Sequence, residues 1–274
     1  MVSSEASLPP HATWREIGPR CTESASYRRF VIRTHLISPG ERLERTLLPY
    51  LDGIVRRGDT LAISEKTVAI AEGRAVLLAS IRPRRLARLL ARHVRQLGHG
   101  IGFRRPETME AALREAGALR ILLAAAVAAV GRPFGRSGDF YRIAGRRIAA
   151  IDGPGLTTIP PYDRYVVLAP LQGEELCRRL SRRLRIGVAV VDVNDIGSEV
   201  LALSPGVKEA DVRALLADNP MGQGAERTPL VILRPEPGGK GRRQPDRYNG
   251  GARAHVPSRQ IGPPGGGDSL PRRG

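Results

Sequence analysis

The sequence is poor in aromatic residues and in cysteine. Aromatic side chains make up 4% of the 274 residues, with a single Trp, so a core must be built mostly from Ala, Val, Leu and Ile. The two cysteines, Cys21 and Cys177, are too few for a disulfide framework or a cysteine-rich zinc site. This usage favours a reducing compartment, and we expect a cytoplasmic protein.

Long hydrophobic runs and a leader-like N-terminus are also missing. The longest apolar run, residues 118–130, contains Arg120 and is shorter than the roughly 20 residues that a membrane-spanning helix needs. The first residues contain no basic segment followed by an apolar one, so no signal peptide is expected. We therefore expect no contact with a membrane.

Positive charge is in large excess, because 44 Lys and Arg face 27 Asp and Glu, for a net charge of +17. This balance favours anionic ligands. An Arg-, Ala- and Gly-rich composition is also typical of GC-rich genomes. Since no set of stacking aromatic residues accompanies the arginines, nucleic-acid binding ranks below small-molecule chemistry.

Composition divides the chain into three segments. Residues 1–28 lack periodicity and are predicted to form a flexible arm. Residues 235–274 contain ten Gly and seven Pro and are predicted to be a disordered, basic tail. Residues 29–234 between them form the predicted catalytic domain, with a division into two subdomains allowed near 131–140.

Within that domain, helical and strand-like patterns alternate. Strands are predicted at 29–36, 60–64, 67–72, 75–81, 140–144, 147–151, 165–168, 188–192, 200–203 and 229–233. Helices are predicted at 43–55, 83–97, 107–116, 120–130, 174–184 and 208–217, and the one at 120–130 is apolar enough to be buried. The strands come in pairs as often as singly, which predicts a mixed α/β fold, of the α+β kind, with sheets packed against helices.

Lys66 is the first candidate for chemistry. The predicted strand 60–64 leads directly into Ser64-Glu65-Lys66, which puts an ammonium group at a strand end. Such a group is a natural point charge for a phosphate. A solvated turn between two strands explains the same pattern.

Two acidic segments are candidates for metal binding. Asp152 precedes Gly153-Pro154 on a tight loop, where a carboxylate can hold a cation, although Asp-Gly-Pro is also an ordinary turn. The β-branched run from 188 ends in Asp192, Asn194 and Asp195. Oxygen ligands of this kind suit Mg²⁺ or Mn²⁺, while a helix cap or an Asx turn would use the same residues.

A glycine-rich loop at 218–229 is the last candidate. Its Gly222-Gln223-Gly224 and Glu226 would let backbone amides approach a phosphate while the side chains bind a base or a metal. The loop is not a P-loop, because Gly-Lys-Ser/Thr is missing.

These segments, in this order, resemble the coenzyme F420-0:L-glutamate ligase (γ-glutamyl ligase) family. Residues 34–40, 58–66 and 71–74 are similar to the family's "PLI-x-x-GD" entry and its "GD-(apolar)-K-(apolar)-EGR" signature, and 192–197 and 222–233 to its metal and nucleotide segments. The resemblance covers 32–234. The family's "ANAGVD-x-SN" and "DTFGR" segments are replaced at Asp152 and Asp195-Ile196, so the chain resembles a divergent, bacterial-type member.

The resemblance implies a function and a set of roles. It implies an intertwined homodimer that uses GTP and Mg²⁺ or Mn²⁺ to join L-glutamate to a deazaflavin coenzyme precursor through an acyl phosphate. Lys66 would be catalytic and would contact the nucleotide phosphates. The other implied ligands are Gly222, Gln223, Gly224 and Glu226 for the nucleotide, and Asp152, Asp195, Gln223 and Glu226 for the metal.

Two other functions remain open from the sequence. One is a nucleotide- or anion-binding relative that modifies a different carboxylate acceptor or has no ligase activity. The other, ranked last, is a basic nucleic-acid-binding protein, whose affinity would fall steeply with salt.

Overall fold

A six-stranded sheet organises the part of the chain that positions the candidate residues. The computed structural model describes residues 13–93, 102–131, 133, 135–136, 138–155, 159–194, 197–222 and 226–236. The strands are β1 (Thr13–Cys21), β2 (Ser26–Arg33), β3 (Thr60–Ser64), β4 (Ala75–Leu77), β5 (Tyr165–Val167), β6 (Gly187–Asn194), β7 (Gly197–Leu203) and β8 (Leu230–Pro235). The large sheet has the order β1-β2-β8-β3-β6-β7, and β4 pairs with β5 separately. Within the large sheet β3 and β6 are parallel, and the other neighbouring pairs are antiparallel.

Helices cover both faces of this sheet. The helices are α1 (Leu43–Thr46), α2 (Leu48–Leu51), α3 (Glu65–Ala71), α4 (Arg85–His93), α5 (Pro106–Ala116), α6 (Ala118–Gly131), α7 (Asp139–Ala144), α8 (Arg146–Ala149), α9 (Gly173–Leu184) and α10 (Glu209–Leu216). Leu61 and Ile63 of β3 pack in one cluster with residues of α1, α2 and α9, whereas Ala62 packs in another with residues of α10. Alternate residues of one strand thus enter opposite cores, which is why the central strands are continuously apolar.

Helices α4 to α8 form a second region with its own core. Met109, Leu113, Ile121 and Ile148 are buried together there, and Val166 of β5 joins them. We call these five helices the helical region. The six-stranded sheet with α1–α3, α9 and α10 is the sheet region.

A buried carboxylate in the helical region accepts hydrogen bonds from two arginines. Glu110 of α5 has a side chain only 1% exposed, and its Oε1 accepts hydrogen bonds from Nε of Arg84 (2.9 Å) and Nε of Arg114 (3.0 Å). Burial alone would raise the pKa of Glu110, but the hydrogen bonds from Arg84 and Arg114 outweigh it, and the pKa is lowered. The carboxylate therefore stays ionised inside a core.

The mixed α/β fold is confirmed, but three predicted strands are wrong. Residues 140–144 and 147–151 form the helices α7 and α8, bounded by Gly138 and Gly145, whose φ angles of +81° and +97° favour glycine. Residues 67–71 lie in α3, and Gly73, with φ +73°, follows two residues after the end of this helix. Their β-branched and aromatic residues favour strands, yet each helix places its apolar residues against a neighbouring core.

The predicted flexible arm is wrong for residues 13–28. These residues form β1 and the start of β2, which pair antiparallel with Thr13 opposite Arg33. Trp14 stacks edge-on against Phe30, with ring centroids 5.8 Å apart. Because β1 is an edge strand with mostly exposed side chains, it carries little of the apolar pattern that identifies a strand.

Three further predictions differ in extent. The helix at 43–55 divides into α1 and α2, with Pro49 at the start of α2. The helix at 120–130 exists as α6, but it is not buried, because Leu119 is 82% and Leu123 55% exposed. The helix at 83–97 is α4 over Arg85–His93, and its last predicted residues, 94–97, lie outside the described residues.

The other strands and helices match their predicted positions to within three residues at either end, except that the strand at 75–81 continues as a 3₁₀ turn after β4. Among the described residues, no helix is both long and apolar enough to cross a membrane. The predicted tail from 235 begins with the last residue of β8, and residues from 237 on lie outside the described residues. The proposed subdomain boundary near 131–140 stays a prediction.

Candidate functional site

One end of the six-stranded sheet collects most of the candidate residues. Ser64, the last residue of β3, lies opposite Val191 of the parallel strand β6, which ends three residues later at Asn194. The antiparallel neighbours β7 and β8 begin here, because Glu199 pairs with Asp192 and Leu230 with Ile63. We call this the site end of the sheet. Carboxyl ends of parallel strands are a common place for ligands in α/β proteins.

Lys66 and Asp152 are in contact at the site end. Lys66 lies in the first turn of α3, directly after β3, and its Nζ is 2.8 Å from Oδ2 of Asp152. Asp152 is held in place through its backbone, which exchanges two hydrogen bonds of 2.9 Å with Val167 of β5. The two side chains remain 32% and 46% exposed, so a ligand can reach both. The structure therefore unites two residues that the sequence analysis selected separately.

Three more carboxylates surround this pair. Asp192 and Glu199 lie directly opposite each other on β6 and β7, and Glu65 precedes Lys66. Like charges placed across a pair of strands repel each other. We call Glu65, Asp152, Asp192 and Glu199, with Lys66, the acidic cluster.

The pKa values of two of these acids reflect this crowding. Burial, followed by the charges of Asp152 and Glu199, raises the pKa of Asp192 to about 6, although Lys66 opposes the shift. Glu65 is 3% exposed, and burial together with the charges of Asp192 and Asp152 raises its pKa well above the usual range. Its Oε2 is buried and has no hydrogen-bond partner among the described residues. The site therefore holds more negative charge than one lysine compensates.

Lys66 stays protonated in this environment. Burial would lower the pKa of its ammonium group, but the charge and hydrogen bond of Asp152, with the charges of Asp192 and Glu65, outweigh burial and raise it. A protonated lysine that is one-third exposed can donate to the oxygens of an anionic ligand.

The glycine-rich loop is anchored beside this cluster. The carbonyl of Pro229 accepts a hydrogen bond from the amide of Ser64 (2.8 Å), and that of Arg227 accepts one from Thr34 (3.0 Å). Arg227 and Pro229 of the loop therefore lie at the ends of β2 and β3, and Ser64, the partner of Pro229, precedes Glu65. Gly222 has φ +74°, and a Cβ there would lie 2.8 Å from the Glu226 carboxyl carbon, so the close approach of Glu226 requires glycine.

Among the described residues, the structure does not bring the predicted metal ligands together. In the part of the chain that the structure describes, no three His, Cys, Asp or Glu side chains are grouped closely enough to hold a metal ion. Asp195, Gln223 and Gly224 lie outside the described residues. The metal roles of Asp152, Asp195, Gln223 and Glu226 therefore stay predictions, as do the nucleotide roles of Gly222, Gln223, Gly224 and Glu226.

Glu65 and Glu199 were not predicted as site residues, and Asp192 was named among the oxygen ligands after the β-branched run without a role of its own. Asp192 stands at the end of the β-branched run, but the resemblance to "DTFGR" drew attention to Asp195 instead. A signal was available, because Glu65 directly follows β3 and Asp192 directly follows Val191, which pairs with Ser64 of β3, so parallel pairing brings both residues to one edge of the sheet. Recognising it required knowing that β3 and β6 are neighbours.

Comparison with known families identifies the family of the chain. A family model described as F420-0:Gamma-glutamyl ligase matches residues 31–195, a span that includes Lys66, Asp152 and Asp192. No curated protein sequence matches the chain. Since the family model covers more than half of the 274 residues, the chain belongs to the F420-0:gamma-glutamyl ligase family.

Proposed function

We propose that the protein is a GTP- and divalent-metal-dependent ligase that joins L-glutamate to a carboxylate of a deazaflavin coenzyme precursor. Membership of the family implies a ligase. The observation that carries the finer proposal is the contact of Lys66 with Asp152 inside the acidic cluster. It brings a cation for phosphate and oxygen ligands for a metal to the same place.

Lys66 would bind the nucleotide. Its ammonium stays charged because of Asp152, and the same ion pair fixes its direction. Held in this way, a lysine neutralises charge on a transferring phosphoryl group without having to reorganise during the reaction.

The acidic cluster fits a hard divalent cation in its chemistry. Asp152 and Asp192 offer only oxygen ligands, and the raised pKa of Asp192 arises partly from uncompensated negative charge. A cation there would hold Asp192 ionised, and Asp195, Gln223 and Glu226 are the further ligands that we propose for it. When bound, Mg²⁺ or Mn²⁺ supplies neutralisation of phosphate charge.

The proposed reaction has two steps. An oxygen of the acceptor carboxylate attacks the γ-phosphorus of GTP, which forms an acyl phosphate and releases GDP. The glutamate amine then attacks the acyl carbon, phosphate leaves, and the amine loses a proton as the amide forms. Holding two anionic substrates in one geometry accounts for a large part of such a rate enhancement.

The proposal is tested with purified protein, GTP, Mn²⁺, L-glutamate and the deazaflavin precursor. We expect release of GDP together with an acceptor product heavier by one glutamyl unit. Lys66→Ala should lower kcat about 100-fold or more, because a charge on the transferring phosphate is left unbalanced. Lys208→Ala is the matched control, since Lys208 is exposed at the start of α10, and it should leave kcat unchanged. No GDP release by the wild-type protein, or equal rates for Lys66→Ala and wild type, would contradict the proposal.

We also propose that the protein is a homodimer that uses the outer face of α6. Leu119, Leu122, Leu123 and Val130 are all at least 40% exposed on this one helix. Residues 121–131 include no charged side chain, although the protein carries a net charge of +17. A second copy can approach such an uncharged stripe without bringing positive charges together, whereas exposed apolar patches of this kind otherwise promote aggregation.

The mass in solution tests this interface. We expect a dimer by light scattering, and Leu123→Asp should convert it to a monomer by placing a charge in the stripe. Leu89→Asp is the matched control, because Leu89 of α4 is similarly exposed at 53% but lies on another helix. A wild-type monomer, or a dimer that survives Leu123→Asp, would argue against the α6 interface.

A further inference from the structure

Glu115, near the C-terminal end of α5, makes contacts that lead to the candidate site from two directions. Its Oε1 lies 2.8 Å from Nη2 of Arg74 and accepts a hydrogen bond of 2.9 Å from Nη2 of Arg147. The side chains of Glu115 and Arg74 are only 13% and 14% exposed, so water and salt screen their ion pair less than one at the surface. Glu115 has no part in the predicted site or in the proposed reaction.

The first direction runs through Arg74 to the helix of Lys66. The Arg74 amide donates to the carbonyl of Ala69 in α3 (2.9 Å), and Lys66 lies in the first turn of the same helix. The Arg74 carbonyl accepts a hydrogen bond from the amide of Leu168 (3.0 Å), and its side-chain Nε donates to the carbonyl of Ala169. Arg74 therefore fixes the end of α3 to the residues that follow β5.

β5 continues this connection to Asp152. Val167, the last residue of β5, lies opposite Ala75 of β4 along one edge of the strand. Along its other edge, its amide and carbonyl form two hydrogen bonds of 2.9 Å with the backbone of Asp152. Neighbouring strands lie roughly 4.8 Å apart, so the backbone of Asp152 is about 10 Å from that of Ala75. Since Ala75 directly follows Arg74, the end of α3 and Asp152 are held at a fixed separation.

The second direction runs through Arg147 to the chain just before Asp152. Arg147 lies on α8, and the amide of Ile151 donates to the carbonyl of Ile148 of this helix (3.2 Å). The turn of α8 therefore runs on to the residue that precedes Asp152. Glu115 thus closes a ring of contacts that includes the backbone of Asp152 and the end of α3.

We propose that Glu115 is a positioning residue, which holds Asp152 against Lys66 by fixing the backbones that carry them. The side chains of Lys66 and Asp152 are partly exposed, and such a pair by itself contributes little to holding two chain segments together. The ring closed by Glu115 supplies this constraint, because it joins the end of α3 to α8. The value of this geometry for the reaction rests on the proposed function, whereas the effect on the Lys66–Asp152 contact does not.

The acylation of lysines tests this role without nucleotide, metal or substrate. The sequence contains three lysines, Lys66, Lys208 and Lys240, and the exposed Lys208 serves as a reference within the same molecule. Acylation requires an uncharged amine, so an ammonium group held by a carboxylate reacts more slowly than a free one. Treatment with a trace of acetic anhydride, followed by mass spectrometry of the peptides, gives the ratio of label on Lys66 to label on Lys208, which we call the labelling ratio.

Glu115→Ala should raise the labelling ratio about threefold or more, because Asp152 is no longer held beside the amine. Asp152→Asn removes the carboxylate itself and should give the largest ratio. Glu175→Ala is the matched control, since Glu175 of α9 also pairs with two arginines but lies outside the ring, and it should leave the ratio unchanged. A labelling ratio that is the same in Glu115→Ala and wild type overturns the proposal.

Arg147→Met opens the ring at a side chain that is 60% exposed, so this variant should fold even if Glu115→Ala does not. It should also raise the labelling ratio, because α8 loses its contact with Glu115. The double variant should match Glu115→Ala alone, since both substitutions break the same contact. Increases that multiply in the double variant, or no increase in Arg147→Met, contradict the ring.

Activity separates this role from the ligase proposal. With GTP, Mn²⁺ and both substrates, Glu115→Ala should lower kcat about tenfold and Glu175→Ala should not change it, because misplaced groups react slowly. A raised labelling ratio in a protein that releases no GDP supports the role of Glu115 and contradicts the ligase proposal. GDP release by wild type with an unchanged ratio overturns the role of Glu115 alone, and a raised ratio with an unchanged kcat overturns its role in the reaction.

Discussion

The sheet region and the helical region use the same apolar residues in different ways. In the sheet region, Leu61, Ile63 and Val190 are 0% exposed, because central strands have helices on both faces. In the helical region, α6 is as apolar as those strands, yet Leu119 is 82% exposed and only Ile121, Ala124 and Gly131 are buried. An apolar segment therefore indicates burial only where the helices and strands that pack against it are known.

The largest expected difference between the two regions comes from truncating one leucine in each of them. Leu61→Ala should lower the free energy of unfolding by about 3 kcal/mol, since it leaves a cavity in a closed core. Leu119→Ala should change it by less than about 0.5 kcal/mol, because most of that side chain already meets solvent. Urea unfolding at low protein concentration, where dimerisation does not contribute, measures both. Equal losses for the two variants would remove the difference between the regions.

The two regions also treat buried acids differently. Glu110 in the helical region is hydrogen-bonded to two arginines and has a lowered pKa, whereas Asp192 in the acidic cluster faces other carboxylates and has a pKa raised to about 6. The first arrangement stabilises the fold. The second is unfavourable for the fold and is typical of a functional site.

The pH dependence of stability should have opposite signs at these two acids. For Glu110, the folded pKa lies below the unfolded value, so its contribution is present above the unfolded pKa and is lost as pH falls through the folded pKa. For Asp192, the folded pKa lies above the unfolded value, so metal-free stability falls as pH rises from about 4 through about 6.

Replacing each of these acids by its amide tests the two opposite signs, with smaller expected changes in the free energy of unfolding than for the leucine variants. At pH 7.5 in the presence of a chelator, Glu110→Gln should lower the free energy of unfolding by about 1–2 kcal/mol, because a buried charge-assisted network is lost. Asp192→Asn should raise it by about 1–2 kcal/mol, because an ionised acid is removed from a crowded site. Denaturant unfolding from pH 4 to 8 checks both, and changes of the same sign in the two variants would refute the contrast.

Much of the sheet region was predictable from the sequence. The strands at 60–64 and 188–192 were found because runs of β-branched and apolar residues between turns identify a buried strand locally. The strands predicted at 140–144 and 147–151 were wrong, because the aromatic and β-branched residues there favour strands. There, Gly138, Gly145 and packing against the second core decided for helices.

The candidate site was predictable as a set of residues but not as an arrangement. Lys66 and Asp152 were selected from their positions at strand ends and loops, and the structure puts them 2.8 Å apart. Asp192 was named among the oxygen ligands, but the metal role was assigned to Asp195, since a single sequence does not reveal which acid of a strand shares a cluster with a lysine that is remote along the chain.

The amino-acid order alone determined the class of fold, the central strands and the family, because these depend on local patterns of apolar residues and on short motifs. Only the tertiary structure decided that Glu65, Asp152, Asp192 and Glu199 share one cluster with Lys66. The physical reason is that charges interact through space. Their effects on pKa and binding depend on distances between segments that are remote along the chain, which no local pattern records.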